Sequence, residues 1–254
     1  MHILADTWAH QNFAGTPSVV INSTNHCFYE VLEKDGEWTK RPINFKHTPG
    51  DDIENAGYIN SVASGSENNI MNLGHGRAGH LPDYSFARYQ YMPAWKDYDM
   101  IFKDNPDDYY HAFCQMIYAM KYLRGENASF ETGVYDTEAA APYEEEIKRI
   151  LNRRQTDASA DWKTFGEKLS GQEIAEFGVD TFRMEYEKAS AREKDHTGLG
   201  KFIIAALAQK SMVTNRIYKS GSLLAGYSVE YDGKTRGIKD FFKLIGFGHK
   251  RDEK

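Results

Sequence analysis

The sequence predicts a mainly α-helical fold, a multi-helix bundle with a small β-hairpin insertion. Two observations predict it. Apolar residues recur at helical spacing, or helix start signals occur, along most of the chain. The helices predicted in this way cover residues 1–13, 107–123, 142–153, 161–169, 172–191, 201–219 and 238–245. Residues 18–60 instead show short apolar runs between turn residues, which are typical of strands.

The insertion is predicted from one turn signal. The segments Cys27–Glu33 and Glu37–Phe45 flank Asp35-Gly36, a dipeptide that favours a tight hairpin. We place residues 1–254 in a single α-helical metal-site domain, with residues 18–60 as a β-hairpin and loop insertion within it. We expect this domain to be the C-terminal part of a larger one.

Bulk composition excludes several classes of function. The net charge of −6 and the pI of about 5.9 give no general affinity for nucleic acid. The two cysteines indicate neither a disulfide framework nor a cysteine-based zinc site. No apolar stretch is long enough for a transmembrane helix, and no signal peptide is recognisable, which together predict a cytoplasmic location.

The first helix carries a metal-binding pattern. His2, Asp6 and His10 follow each other at intervals of four residues, so a helix places them on one face. The intervening residues are mostly apolar, and they would bury much of the helix. Buried imidazoles and carboxylates need partners, and a zinc ion is a suitable one. An aspartate between two histidines can bridge two ions.

The same helix begins without a capping residue. Helices usually start after Ser, Thr, Asp or Asn, whereas this one starts at residue 1. We therefore expect an upstream segment, a partner chain or a second copy to complete the site. That partner would cover Ile3, Leu4 and Trp8, which predicts an oligomer or a complex. The alternative is a helix that lacks a cap and frays at its start.

A glycine-rich loop supplies the second set of candidate ligands. It contains His75, His80 and Asp83, and Gly74 and Gly76 let the backbone bend closely around His75. His80 is a further candidate ligand, or it faces solvent.

Other residues of this loop leave alternatives open. Asp83 follows Pro82 and could instead cap a helix over Tyr84–Tyr91, or do both. Arg77 and Arg88 could hold a phosphate, or they could be solvated surface charges.

Together the two segments predict a metal-dependent hydrolase. His2, Asp6, His10, His75 and Asp83 could bind one to three zinc ions, with Asp6 as the bridging and catalytic ligand. A metal-bound hydroxide would attack a phosphoester, either a phospholipid or a nucleotide. The chain contains no Gly-x-Ser-x-Gly elbow and no Walker loop. The alternative is a non-catalytic subunit or binding module in which the metal only stabilises the fold and another polypeptide completes the site.

The segment His2-Ile-Leu-Ala-Asp6-Thr-Trp-Ala-His10 resembles the core helix of the zinc-dependent bacterial phospholipases C and of the related single-strand-specific fungal and plant nucleases. It also resembles an uncharacterised, mainly bacterial family, together with the Gly74-His75-Gly76 and Pro82-Asp83 segments. The resemblance covers roughly residues 1–15 and 73–92.

The resemblance implies a multi-helix bundle of the zinc-phospholipase-C/nuclease type and a trinuclear zinc site. In it, His2 and Asp6 match the helix ligands, His10 matches less closely in spacing, and His75 with Asp83 stand for the later histidine and carboxylate. The chain differs from those enzymes in two respects. Their ligands upstream of this helix have no counterpart in this sequence, and the interval from His75 to Asp83 is longer.

Overall fold

The computed structural model describes residues 1–13, 28–46, 50–60, 74–126 and 129–220, and the chain divides into two compact units, 1–172 and 173–254. The predicted helix over 238–245 lies outside the described residues. The assignment of residues 1–254 to one metal-site domain stays a prediction.

The first unit contains two β-sheets. Its strands are β1 (Tyr29–Lys34), β2 (Glu37–Pro42), β3 (Asn44–Lys46), β4 (Gly57–Ile59), β5 (Arg88–Tyr91) and β6 (Ile101–Asp104). Four of them form an antiparallel sheet in the order β2-β1-β5-β6, and β3 pairs in parallel with β4. The predicted mainly α-helical class is therefore wrong, because the fold mixes helices with a four-stranded sheet.

The predicted hairpin is confirmed as part of this sheet. Strands β1 and β2 pair from Tyr29 opposite Pro42 to Lys34 opposite Glu37. Asp35 and Gly36 form the turn with φ of 55° and 80°, the positive values that a two-residue hairpin turn needs. The hairpin is not an isolated insertion, because β1 also pairs with β5.

The fold-class prediction is wrong because strands β5 and β6 are not recognisable in the sequence. Tyr89 and Tyr91 alternate with less buried neighbours on β5, a period of two that contradicts the alternative of a helix over Tyr84–Tyr91. On β6 the usual pattern is inverted, since Lys103 is 1% exposed whereas Phe102 is 46% exposed. The buried lysine is tolerated because it pairs with Asp108. Such a short and inverted strand gives no hydrophobic signal.

The described helices agree largely with the predicted ones. They are α1 (His2–His10), α2 (Asn105–Leu123), α3 (Thr137–Ala140), α4 (Glu144–Asn152) and α5 (Ser159–Ser170) in the first unit, and α6 (Val179–Lys188) and α7 (Gly198–Lys219) in the second. Within the described residues, no helix combines the length and apolarity needed to cross a membrane.

Helix α1 is held against α2. The indole of Trp8 donates a 2.8 Å hydrogen bond to Gln115 Oε1, and its ring lies edge-on to Tyr135 at 5.8 Å. Gln115 in turn donates to the Thr132 carbonyl at 2.7 Å. Trp8 therefore fixes the rotation of α1 and thereby the direction in which its polar residues project, while Ile3 stays exposed.

Candidate metal centre

The three predicted ligands on helix α1 have different surroundings. His2 lies at the start of the helix with its side chain 89% exposed, and its Nε2 is 3.5 Å from Asp6 Oδ2. His10 lies at the other end, where α1 approaches the glycine-rich loop. His2 is thus the member of the set that lies away from the candidate ligands of the glycine-rich loop.

His10 and His75 meet face to face. Their ring centroids are 4.2 Å apart and the ring planes differ by 15°. His75 is carried by a 3-10 helix, Gly74–Ala78, and is separated from His10 by 65 positions in the sequence. The fold therefore brings together two imidazoles that the sequence places in separate segments.

A glycine allows the loop to take this path. Gly79 has φ of 55°, and a Cβ added there would lie 2.0 Å from the Ile59 carbonyl oxygen. Any side chain would therefore displace the loop from β4. Beyond Gly79, a second 3-10 helix, Leu81–Asp83, packs against α1 and brings Asp83 to the same region.

The backbone around Asp83 is anchored from α2. The side-chain amide of Asn105 is fully buried and donates to the Leu81 and Tyr84 carbonyls, both at 2.8 Å. The Tyr109 hydroxyl donates to the Pro82 carbonyl. These bonds attach the segment to α2, against which α1 also packs.

The same neighbouring side chains influence the pKa values of His75 and Asp83. Burial lowers the pKa of the His75 imidazole, and the charge of His10 lowers it further. Asp83 and Asp6 act on His75 in the opposite sense. Burial raises the pKa of the Asp83 carboxyl, and the nearby histidines only partly offset this. His10 and Asp6 therefore act electrostatically on both His75 and Asp83.

The donor atoms of these four side chains are not arranged as in a formed metal site. Across the described ranges, no group of three His, Cys, Asp or Glu side chains has that geometry. Binding would require Asp6 to turn from His2 and the two stacked rings to direct a nitrogen toward a common region. The predicted ligands His2, Asp6, His10, His75 and Asp83 stay predictions.

His80 has a different partner from the other histidines. Its Nδ1 lies 2.8 Å from Asp51 Oδ2, and the Tyr84 hydroxyl donates to the same oxygen. Burial acts to raise the pKa of the Asp51 carboxyl. Hydrogen bonds from Tyr84, the Ile59 amide and His80 outweigh burial and hold that pKa below its ordinary value. Asp51 thus fixes the His80 ring beside the candidate centre.

Asp51→Asn is expected to lower the free energy of unfolding by about 1–3 kcal/mol, because the amide nitrogen cannot accept the bonds that the buried carboxylate accepts. Asp52→Asn is the matched control. Asp52 caps a short 3-10 helix, and asparagine caps equally well. Chemical denaturation of both variants measures the difference, and equal stability of the two would contradict the role given to Asp51.

The two candidate phosphate-binding arginines have different surroundings. Arg88 pairs with Asp104 at 3.0 Å, donates to Asn152 at 2.9 Å and lies over the Trp38 ring. Arg77 is buried on the loop that carries His75, and in the described part of the chain its Nε has no hydrogen-bond partner.

A cavity of about 450 Å³ adjoins the candidate centre. Asp6 and Asp83 contribute to its wall, and the other lining residues are alanines, aromatic residues, a proline, a methionine and a leucine. The sequence did not indicate this cavity, because its walls come from α1, α2, α4, α5 and the loop before β5. Asp51 was also missed, since it lies in a segment rich in Gly, Asn and Asp without a recognisable pattern.

Comparison with known proteins assigns a family but no activity. The model of a family of unknown function, DUF6765, matches residues 1–217, and the chain therefore belongs to that family. No curated protein and no solved structure matches the chain.

Proposed function

We propose that this member of the DUF6765 family is a metal-dependent phosphoester hydrolase. Asp6, His10, His75 and Asp83 bind one or two zinc-like ions, and Asp6 is the shared ligand. The observation that carries the proposal is the stack of His10 on His75, with ring centroids 4.2 Å apart, together with the electrostatic effect of Asp6 and Asp83 on His75.

The donor set suits zinc. Imidazole nitrogens and carboxylate oxygens are its usual ligands in catalytic sites, which keep one position open for water or substrate. His10 and His75 could each supply one nitrogen, and a carboxylate could be shared between two ions.

The proposed chemistry agrees with the rest of the site. A bound zinc ion supplies a water of lowered pKa and polarises a phosphoryl oxygen, so no protein nucleophile is required. Arg77, whose Nε has no partner among the described residues, lies on the same loop and can neutralise the phosphate. The resemblance of the His2–His10 segment to zinc phospholipases C and nucleases favours the same reaction class.

The second candidate function is a non-catalytic subunit in which metal joins α1 to the glycine-rich loop. The exposed side chain of Ile3 on α1 favours it, because a second copy or a partner chain would cover that position. Light scattering of the purified chain measures its oligomeric state, and the number of protein ligands on the metal separates the two functions. A structural ion has four of them, whereas a catalytic ion keeps an open position.

Zinc uptake and phosphodiester hydrolysis test the proposed function together. Protein stripped with a chelator is expected to bind one or two zinc ions per chain with micromolar or tighter affinity. Hydrolysis of bis(4-nitrophenyl) phosphate should disappear with the chelator and return with zinc. Calorimetry and elemental analysis measure uptake. Absence of uptake would overturn the proposal, and uptake without hydrolysis would favour the structural alternative.

A further inference from the structure

We propose that the cavity beside the candidate centre binds a single alkyl chain, the apolar part of an amphiphilic phosphoester. That this alkyl chain belongs to the molecule that is hydrolysed rests on the proposed function. The binding of an alkyl chain does not, because it depends only on the shape and chemistry of the cavity.

Small residues on two helices create the space. Ala5 and Ala9 lie one turn apart on the same face of α1, and Ala112 contributes from α2. Larger side chains at these positions would fill the volume between the two helices. The cavity therefore exists because both helices place alanines on their facing sides.

The remaining wall is apolar and partly adaptable. Phe113 and Trp162 are stacked with ring centroids 6.0 Å apart, and Leu151 and Met116 complete this side. Methionine adapts its shape readily, because it is unbranched and flexible. Such a wall suits a chain of varying conformation better than one rigid group.

The polar groups of the lining argue against a nucleobase. The Tyr109 hydroxyl is already bonded to the Pro82 carbonyl, and the two carboxylates, Asp6 and Asp83, belong to the candidate centre. A buried nucleobase would leave edge donors and acceptors unpaired, which is unfavourable. Among the described residues that line the cavity none is Lys or Arg, so an anionic headgroup has no partner inside it.

The dependence of affinity on the length of the alkyl chain is the property that tests this site. Each methylene removed from water favours binding by about 0.8 kcal/mol, which corresponds to about fourfold in affinity. A neutral chain should therefore bind more tightly with each added carbon until the cavity is full.

The first test uses metal-free protein and butanol, hexanol, octanol and decanol, measured by calorimetry and tryptophan fluorescence. The dissociation constant is expected to fall about fourfold per methylene and then to level off. Met116→Trp should weaken octanol binding at least tenfold by filling the cavity. Met120→Trp, one turn further along α2 and exposed, should have no effect.

Met116→Ala provides a variant that enlarges the cavity, and it should accept a longer chain than the original protein does. A flat dependence on chain length, or equal binding by the Met116→Trp and Met120→Trp proteins, would overturn the proposal. Loss of zinc uptake with retained octanol binding would overturn the proposed function alone. Zinc uptake without alkanol binding would overturn only the alkyl-chain site.

The second test uses zinc-loaded protein and alkyl 4-nitrophenyl phosphates, which water cleaves to 4-nitrophenolate and an alkyl phosphate. The ratio kcat/KM is expected to rise with alkyl length, mainly through KM, and Met116→Trp should abolish the rise. Preference for thymidine 4-nitrophenyl phosphate over the octyl ester would contradict the assignment, since it would place a base in the cavity.

Discussion

Glu30→Ala is expected to lower the free energy of unfolding by about 3 kcal/mol. The Glu30 carboxylate is 1% exposed on β1 and accepts hydrogen bonds from Arg41 at 2.7 Å, Arg154 at 2.7 Å and the Tyr58 hydroxyl at 3.1 Å. Its removal leaves two guanidinium groups and a buried hydroxyl without their common acceptor. The cluster joins β1, β2, β4 and the segment after α4, so its loss should affect the whole first unit.

Glu54→Ala is the matched control. Glu54 also approaches Arg154, at 3.7 Å, but its side chain is 75% exposed. Exposed ion pairs contribute little, so the change should be about 0.5 kcal/mol or less. Urea denaturation of both variants gives the comparison. Similar losses in the two proteins would show that burial of Glu30 is not the source of the stability.

His75→Ala is expected to weaken zinc binding by roughly a hundredfold or more and to abolish hydrolysis, because it removes a direct ligand. Asp6→Asn keeps the size of the side chain and removes its charge, so it should eliminate the second ion in particular. His80→Ala should have a mild effect, since Asp51 holds that ring.

His196→Ala is the control for nonspecific loss of a histidine. His196 is exposed in the second unit, distant in sequence from the four candidate ligands. Zinc stoichiometry by elemental analysis and affinity by calorimetry decide the outcome. Full zinc occupancy in Asp6→Asn would exclude a bridging role for Asp6, and unchanged affinity in His75→Ala would remove His75 from the centre.

Local signals predicted most of the described helices and one hairpin correctly. The apolar spacing of Asp107–Leu123 and the Asp35-Gly36 turn each act over a few residues, and the structure has α2 and the β1–β2 hairpin at these places. The rest of the sheet was not predictable in this way. Strand β5 has only four residues, and β6 is held by the buried Lys103 paired with Asp108, a tertiary contact that reverses the usual pattern.

The candidate centre was also only partly predictable from the sequence. Spacing within α1 indicated Asp6 and His10, and the glycines indicated an exposed loop around His75, but only the fold shows that His10 and His75 stack. His2 shares the helix face with Asp6 and nevertheless lies at the exposed end. Asp51 could not be assigned, because its contact with His80 joins two loops that are 29 residues apart.

Anomalous diffraction at the zinc absorption edge tests the central claim most directly. Crystals grown with zinc are expected to show one or two anomalous peaks within about 2.0–2.2 Å of a His10 or His75 nitrogen and of an Asp6 or Asp83 oxygen. The two rings should then no longer be stacked face to face. Peaks only elsewhere, with His10 and His75 still face to face at 4.2 Å, would contradict the account.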